Sequence, residues 1–221
     1  MPDGVAHRAG NSTGALHAAI DAGVDWVEAD IWWQYGRLEA RHEHAIWRLP
    51  IRYDQWKLGV AVRRAPRLAE ICRLTLGGPR LLIDLKGSVA RLPIDIVKTL
   101  RAEGAVPRAA ICGQVWPLLD AVAELEPGLQ IFYSLESEQQ LAAMRVRPAA
   151  SLPITGVSCA EALLTADRLG WMRARDLTVF AWTVNDRARA LELASLGVSG
   201  IISDNYEVLE AVRERRPRSR T

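Results

Sequence analysis

Three carboxylates of this chain stand in apolar stretches, where an acidic side chain is costly unless another group compensates its charge. Glu28 and Asp30 are two residues apart in VEADI, and Asp84 stands in IDLKG. Residues two apart on a strand point to the same side, so Glu28 and Asp30 would share one face. Together the three acids would form a hard, oxygen-rich site that favours Mg²⁺ or Ca²⁺ over zinc.

Basic and imidazole side chains accompany these acids. His7 and Arg8 follow a short apolar step, Lys86 comes two residues after Asp84, and His42 ends a short alternating stretch. A divalent cation with Lys, Arg and His suits the chemistry of a phosphate ester. Each residue alone is more readily explained as a paired core carboxylate, its basic partner or a satisfied core histidine than as a catalytic group. Their joint occurrence favours a catalytic site.

The elements that must position these residues follow a regular order along the chain. Short, mostly continuous apolar runs, typical of strands buried on both faces of a parallel sheet, alternate with segments of helical spacing. This order predicts a single-domain α/β protein with a (β/α)₈ TIM barrel, and a doubly wound open sheet is the alternative. The predicted strands are Gly4–Arg8, Trp26–Ile31, Arg80–Lys86, Arg108–Cys112, Leu129–Leu135, Ile154–Cys159, Thr178–Val184 and Gly200–Ser203.

The carboxyl ends of barrel strands meet at one face, where active sites of this architecture lie. The candidate residues stand near the ends of the first three predicted strands, and Trp182 lies near the end of the seventh. One insertion breaks the alternation, in residues 32–59. Its first part predicts a short hairpin, and the remainder predicts an aromatic, basic loop over the barrel mouth.

Composition limits the classes of function. The chain has 221 residues, 49% of them hydrophobic, and a formal net charge of +2, which gives no indication of nucleic acid binding. Three widely spaced cysteines in apolar contexts predict reduced core residues, and with no signal peptide or membrane-spanning run we expect a cytoplasmic protein. We expect the barrel to occupy residues 1–212 and the arginine-rich residues 213–221 to form a disordered tail. Oligomeric state is not indicated.

The residues described so far resemble the glycerophosphodiester phosphodiesterase family, TIM barrels of the phosphatidylinositol-phosphodiesterase-like superfamily. HRA at residues 7–9 corresponds to the family's His-Arg-Gly. AGVDWVEADI at residues 22–31 corresponds to its Gly-Ala-Asp-x-x-Glu-x-Asp-Val strand. His42 and Glu43 follow a glycine turn where the family has His-Asp.

The resemblance continues to the end of the chain. Asp84-x-Lys86 stands for the family's Glu-x-Lys, WTVN recurs at residues 182–185, and GVSGIISDN at residues 197–205 matches its closing motif. The family's Pro-Glu-Asn-Thr motif is absent here, and Asn11 in the shorter first loop is the candidate for its asparagine.

The resemblance implies metal-dependent hydrolysis of a small glycerophosphodiester to an alcohol and sn-glycerol 3-phosphate. Its implied cofactor is one divalent cation, Mg²⁺ or Ca²⁺. The implied roles are acid and base for His7 and His42, metal ligation for Glu28, Asp30 and Asp84, phosphate binding for Arg8 and Lys86, and substrate contact for Asn11 and Trp182.

Two other functions stay open at this point. The short first loop and the Asp-x-Lys pair also resemble sphingomyelinase D-like enzymes, so a phospholipase D-like or sphingomyelinase D-like hydrolase of lipid head groups is one alternative. In that case the tryptophan-rich insertion or the arginine-rich tail would make weak contact with a membrane surface. A barrel that has lost catalysis and binds a phosphorylated ligand is the other alternative.

Overall fold

The computed structural model describes residues 1–42, 44–45, 51–54, 57–60, 64–147 and 154–214, and strands and helices alternate through them. The strands in these residues are β1 (Asp3–Ala6), β2 (Trp26–Gln34), β3 (Arg37–Ala40), β4 (His44–Ala45), β5 (Ile51–Asp54), β6 (Lys57–Val60), β7 (Arg80–Lys86), β8 (Ala109–Gly113), β9 (Gln130–Leu135), β10 (Gly156–Ala160), β11 (Thr178–Trp182) and β12 (Gly200–Ser203). The α-helices are α1 (Thr13–Asp21), α2 (Leu68–Leu74), α3 (Leu92–Ala102), α4 (Trp116–Leu125), α5 (Glu138–Val146), α6 (Ala166–Arg173), α7 (Arg187–Ser195) and α8 (Tyr206–Glu214).

Eight parallel strands close into a barrel, which confirms the predicted (β/α)₈ fold. Strand β1 pairs with β2 on one side and with β12 on the other, and β7 to β11 complete the ring between them. The register between β2 and β7 places Asp30 opposite Asp84, so two of the predicted acids are direct neighbours across the sheet.

The barrel interior is filled by side chains and is not a pore, as expected for an eight-stranded barrel. Its inner cluster combines aliphatic, aromatic and cysteine side chains that alternate with the outward-facing positions of the strands. The cluster closes the barrel beneath its carboxyl-end mouth and thereby provides a floor for the site. It consists of Val5, Trp26, Leu82, Ala110, Cys112, Phe132, Phe180 and Ile202.

Most predicted strands are correct to within one or two residues, and the differences have local causes. The first strand stops at Ala6, because the backbone turns at Arg8, which has a left-handed φ of 55°. Residues 160–175, one of the segments of helical spacing, are divided into a 3₁₀ turn, Glu161–Leu163, and α6. Thr165 begins α6 by accepting a hydrogen bond from the backbone N–H of Arg168.

The insertion after β2 contains more regular structure than predicted. Strands β2 and β3 form the expected antiparallel hairpin, with Trp33 opposite Leu38. Strands β4, β5 and β6 then form a separate antiparallel sheet, where the sequence predicted only a loop. Strand β5 pairs with β4 on one side and with β6 on the other.

The C-terminal helix extends into the predicted tail. Arg213 and Glu214 belong to α8, and Arg213 Nη1 donates a 3.0 Å hydrogen bond to the carbonyl of Ala22. Residues 215–221 lie outside the described residues, so the predicted disorder of the tail stays a prediction. All three cysteines are buried and free, as expected.

Among the described helices, none combines the length and apolar character needed to cross a membrane.

Candidate active site

A cavity of about 350 Å³ opens at the carboxyl-end mouth of the barrel. A larger groove of about 710 Å³ lies on the outside, between β3, α2 and α3, but it contains none of the predicted site residues. The mouth cavity is therefore the stronger candidate for the active site. The predicted residues that line it are His7, Arg8, Glu28, Asp30, His42, Asp84, Lys86 and Trp182.

The three predicted acids converge on one wall of this cavity. Glu28, Asp30 and Asp84 each offer a carboxylate oxygen, and these oxygens lie within 4.8 Å of one another. Glu28 is 4% and Asp30 2% exposed, which is far below what solvated carboxylates show. Strand alternation places Glu28 and Asp30 on one face, as the sequence predicts, and the β2–β7 register brings Asp84 beside them.

Two basic side chains compensate part of this negative charge. Lys86 Nζ lies 2.9 Å from Asp30 Oδ1 and 2.5 Å from Asp84 Oδ2, and Arg8 Nε lies 3.8 Å from Asp30 Oδ2. Burial alone would lower the pKa of Lys86, but Asp84 and Asp30 outweigh it and raise that pKa. The lysine is therefore a permanent cation held between two of the acids.

Burial and mutual repulsion disfavour the charged forms of these acids. Burial, followed by repulsion from Asp30 and Asp84, raises the pKa of Glu28 well above its usual value. Burial also raises the pKa of Asp84, although Lys86 opposes the shift. Three carboxylates against two cations leave an excess of negative charge that a bound cation would compensate.

The loop after β1 supports this wall from below. Glycine is required at position 10, because a Cβ there would come within 2.5 Å of the Ala29 Cβ. This close approach lets Asn11 donate a 2.6 Å hydrogen bond to Asp30 Oδ2 and accept one of 2.9 Å from the Asp30 N–H. Asn11 thereby orients Asp30, and it is not among the residues that line the cavity. The predicted contact of Asn11 with substrate stays a prediction.

His7 belongs to a hydrogen-bonded chain that the sequence reasoning missed. Its Nδ1 lies 2.8 Å from Asp204 Oδ1, and Asp204 Oδ2 accepts a 3.0 Å hydrogen bond from Asn185 Nδ2. Asn185 is fixed in turn, since its Oδ1 accepts from Ser203 Oγ at 2.9 Å and from the Asp204 N–H at 2.9 Å. Burial lowers the pKa of His7, and Asp204 offsets part of that shift.

The remaining predicted residues lie where expected or outside the described part of the chain. His42 and Trp182 line the cavity together with His7. Glu43 and the insertion residues Trp47 and Trp56 lie outside the described residues, so the predicted membrane contact stays untested.

The far side of the mouth carries polar residues that were not predicted. Gln114 follows β8 and Glu136 follows β9, and Gln114 Nε2 donates a 2.6 Å hydrogen bond to Glu136 Oε2. Both line the cavity. Polar residues that follow barrel strands face the mouth. Applied to all eight strands of the sequence, this rule also identifies Asp204, Gln114 and Glu136.

The acidic wall has the properties of a site for a hard divalent cation. Its donors are all carboxylate oxygens, they are close enough to share one ion, and their charge is only partly balanced by Lys86 and Arg8. Such donors suit Mg²⁺ and Ca²⁺. Glu28, Asp30 and Asp84 are the residues that would hold the ion.

Comparison with solved structures finds the same fold at low sequence identity. A candidate glycerophosphoryl diester phosphodiesterase from Silicibacter pomeroyi is 17% identical, with a TM-score of 0.80 over 97% of this chain and 94% of the other. A glycerophosphodiester phosphodiesterase from Parabacteroides distasonis is 17% identical, with a TM-score of 0.75 over 98% of each chain. A phosphodiesterase from Oleispira antarctica, in complex with the product sn-glycerol-3-phosphate, is 19% identical, with a TM-score of 0.76 over 96% of this chain and 97% of the other.

Comparison with sequences gives the family. No curated protein sequence matches the chain significantly. The model of the glycerophosphoryl diester phosphodiesterase family matches residues 85–208, which is more than half of the chain. The matched region contains Lys86 and both partners in the His7 chain, Asn185 and Asp204. The chain therefore belongs to the glycerophosphoryl diester phosphodiesterase family and is a phosphoric diester hydrolase.

Proposed function

We propose that the barrel mouth hydrolyses glycerophosphodiesters to an alcohol and sn-glycerol 3-phosphate, with one divalent cation, Mg²⁺ or Ca²⁺, and two histidines. The observation that carries this proposal is the convergence of three acids, two permanent cations and two histidines on one cavity. The Oleispira antarctica phosphodiesterase, which has this fold, binds sn-glycerol-3-phosphate as its product, and that supports the same substrate class here.

Arg8 and Lys86 are the residues that would hold the phosphodiester anion. Arg8 is partly exposed to the cavity, with 43% of its side chain accessible, and Lys86 extends from the acidic wall. Hydrogen bonds from charged donors to phosphate oxygens are short and strong, and they also stabilise the charge that develops on those oxygens during transfer. A divalent cation on the three acids would supply further charge stabilisation and orient the substrate.

His7 is suited to accept a proton. Asp204 binds Nδ1, which fixes that nitrogen as the protonated one and leaves Nε2 as the acceptor. Because burial lowers the pKa of His7, its imidazole is mostly neutral near pH 7 and ready to act as a base.

In this proposal His7 takes a proton from the attacking oxygen, which belongs to water or to the glycerol's own hydroxyl and forms a new bond to phosphorus. In the second case water then opens the resulting cyclic phosphate to give sn-glycerol 3-phosphate. The bond between phosphorus and the alcohol oxygen breaks, and His42 donates a proton to that oxygen as the alcohol leaves. Trp182 forms a wall of the cavity against which the organic part of the substrate packs.

The test is the release of sn-glycerol 3-phosphate from glycerophosphocholine with Mg²⁺, with Ca²⁺ and with EDTA. We expect turnover that EDTA abolishes and that His7→Ala and His42→Ala each reduce by about 100-fold or more. His17 is an exposed histidine on α1, so His17→Ala is the matched control and should act like the wild type. Turnover that persists in EDTA or in His42→Ala would contradict the proposal.

A further inference from the structure

The cavity has two chemically different sides, which face each other across the barrel. In the ring of eight strands, β9 is the fourth strand from β1 in either direction, so the residue after β9 lies opposite the residues after β1. Glu136 therefore faces His7 and Arg8 across the mouth. The phosphodiester belongs on the side of His7 and Arg8, and the opposite side receives another part of the substrate.

Glu136 differs from the other acids of the cavity in its surroundings. Asp30 and Asp84 both contact Lys86, and Asp30 also lies near Arg8. In the part of the chain that the structure describes, no cationic side chain lies within ion-pair distance of Glu136. A carboxylate without a cation repels an anionic substrate, unless the substrate itself brings a positive charge to that side.

Two features of the cavity suit Glu136 to receive such a charge. Gln114 donates a 2.6 Å hydrogen bond to one carboxylate oxygen, Oε2, and thereby orients the group. Trp182 ends β11 and lines the same cavity with its partly buried ring. The face of an indole ring attracts ammonium groups.

We propose that Glu136, oriented by Gln114, and Trp182 form a subsite for a positively charged alcohol of the diester. The enzyme then prefers zwitterionic glycerophosphodiesters, whose alcohol carries an ammonium group, over diesters of neutral alcohols. This inference rests on the proposed function, because it concerns the leaving alcohol of the same reaction. Glu136 acts on specificity and takes no part in proton transfer.

The first experiment compares kcat/KM for glycerophosphocholine and glycerophosphoethanolamine with that for glycerophosphoglycerol, whose alcohol is neutral. An ammonium group near this exposed carboxylate should give the wild type a preference of about twofold to fivefold. Glu136→Gln keeps an oxygen for Gln114 and removes only the charge. It should abolish the preference by lowering kcat/KM for the two cationic substrates, while kcat/KM for glycerophosphoglycerol does not fall.

A matched control separates this effect from a general loss of surface charge. Glu138 is an exposed carboxylate two residues further along, at the start of α5, and it pairs with Arg168. Glu138→Gln should keep the full preference. Equal loss with all three substrates in Glu136→Gln would mean that the carboxylate binds hydroxyl groups, and it would overturn the inference. The absence of any preference in the wild type would overturn it as well.

A second measurement decides the question without turnover. Choline and its uncharged isostere 3,3-dimethyl-1-butanol are titrated into the metal-free protein by calorimetry. We expect choline to bind more tightly to the wild type and the two to bind equally to Glu136→Gln. If no diester is hydrolysed, the proposed function fails, and this titration alone supports or overturns the subsite.

Discussion

Replacing Asp204 by asparagine changes the shape of the His7 partner very little but reverses its hydrogen bonding. Asn185 is held by two donors on its Oδ1, so its Nδ2 amide must point at Oδ2 of residue 204. An asparagine at this position has one acceptor oxygen, which Asn185 takes, and its own amide then points at His7 Nδ1. His7 would have to accept there and carry its proton on Nε2, which faces the cavity.

The expected loss of rate in Asp204→Asn follows from this change of tautomer in His7. Full loss of one general acid–base group costs about 100-fold to 10,000-fold in rate. The Asp204 side chain is 53% exposed, so water relieves part of the constraint, and we expect the lower end. Asp204→Asn should reduce kcat by about 100-fold with little change in KM. Asp204→Ala admits water in place of the carboxylate and should cost only about tenfold.

The assay is kcat and KM for glycerophosphocholine across pH, with thermal melting as the check on folding. Asp204 raises the pKa of His7 against burial, so its removal in Asp204→Ala lowers that pKa further. The acidic limb of the kcat/KM profile should move to lower pH. Glu207→Gln, an exposed neighbour, is the control and should keep both kcat and the profile. An alanine variant as slow as the asparagine variant would refute the tautomer explanation.

Three further outcomes follow from the buried charges and thiols. Glu28→Gln should raise the melting temperature of the metal-free protein at neutral pH, since it removes a buried carboxylate whose raised pKa costs stability as pH rises above its unfolded value; an unchanged or lower melting temperature contradicts this. Lys86→Gln should tighten calorimetric Mg²⁺ binding by about threefold or more, because the ammonium competes for Asp30 and Asp84, and weaker binding would show that it does not. Iodoacetamide should leave the native protein unlabelled and label three thiols after unfolding, since all three are buried and burial raises the pKa of Cys72 to about 11 and that of Cys159 to about 12; labelling of the native protein would contradict this.

The sequence predicts the barrel and its acidic wall well, for reasons of periodicity. Buried parallel strands are continuous apolar runs, so a charged residue inside one is conspicuous. Glu28 and Asp30 are two apart on a single strand, and their shared face needs no tertiary information. Only the register between β2 and β7, which a single sequence does not contain, establishes that Asp84 stands beside Asp30.

The contacts that depend on distant parts of the chain were not predictable in the same way. Asp204 meets His7 because β12 pairs with β1 when the barrel closes, and the two residues are 197 positions apart. The hydrogen bonds between Asn11 and Asp30 depend on the packing of the Gly10 loop against β2, which no sequence motif indicates. The β4–β6 sheet has short strands, whose patterns are too brief to distinguish from a loop.

The central claim is that this mouth cleaves the bond between phosphate and the alcohol of a glycerophosphodiester. Its most direct test is a ³¹P NMR time course of glycerophosphocholine with the wild-type enzyme and Mg²⁺ or Ca²⁺, with added standards of the two monoester products. We predict that the diester signal converts to sn-glycerol 3-phosphate as choline is released. An unchanged diester signal with either cation, or conversion to phosphocholine and glycerol, would contradict that claim.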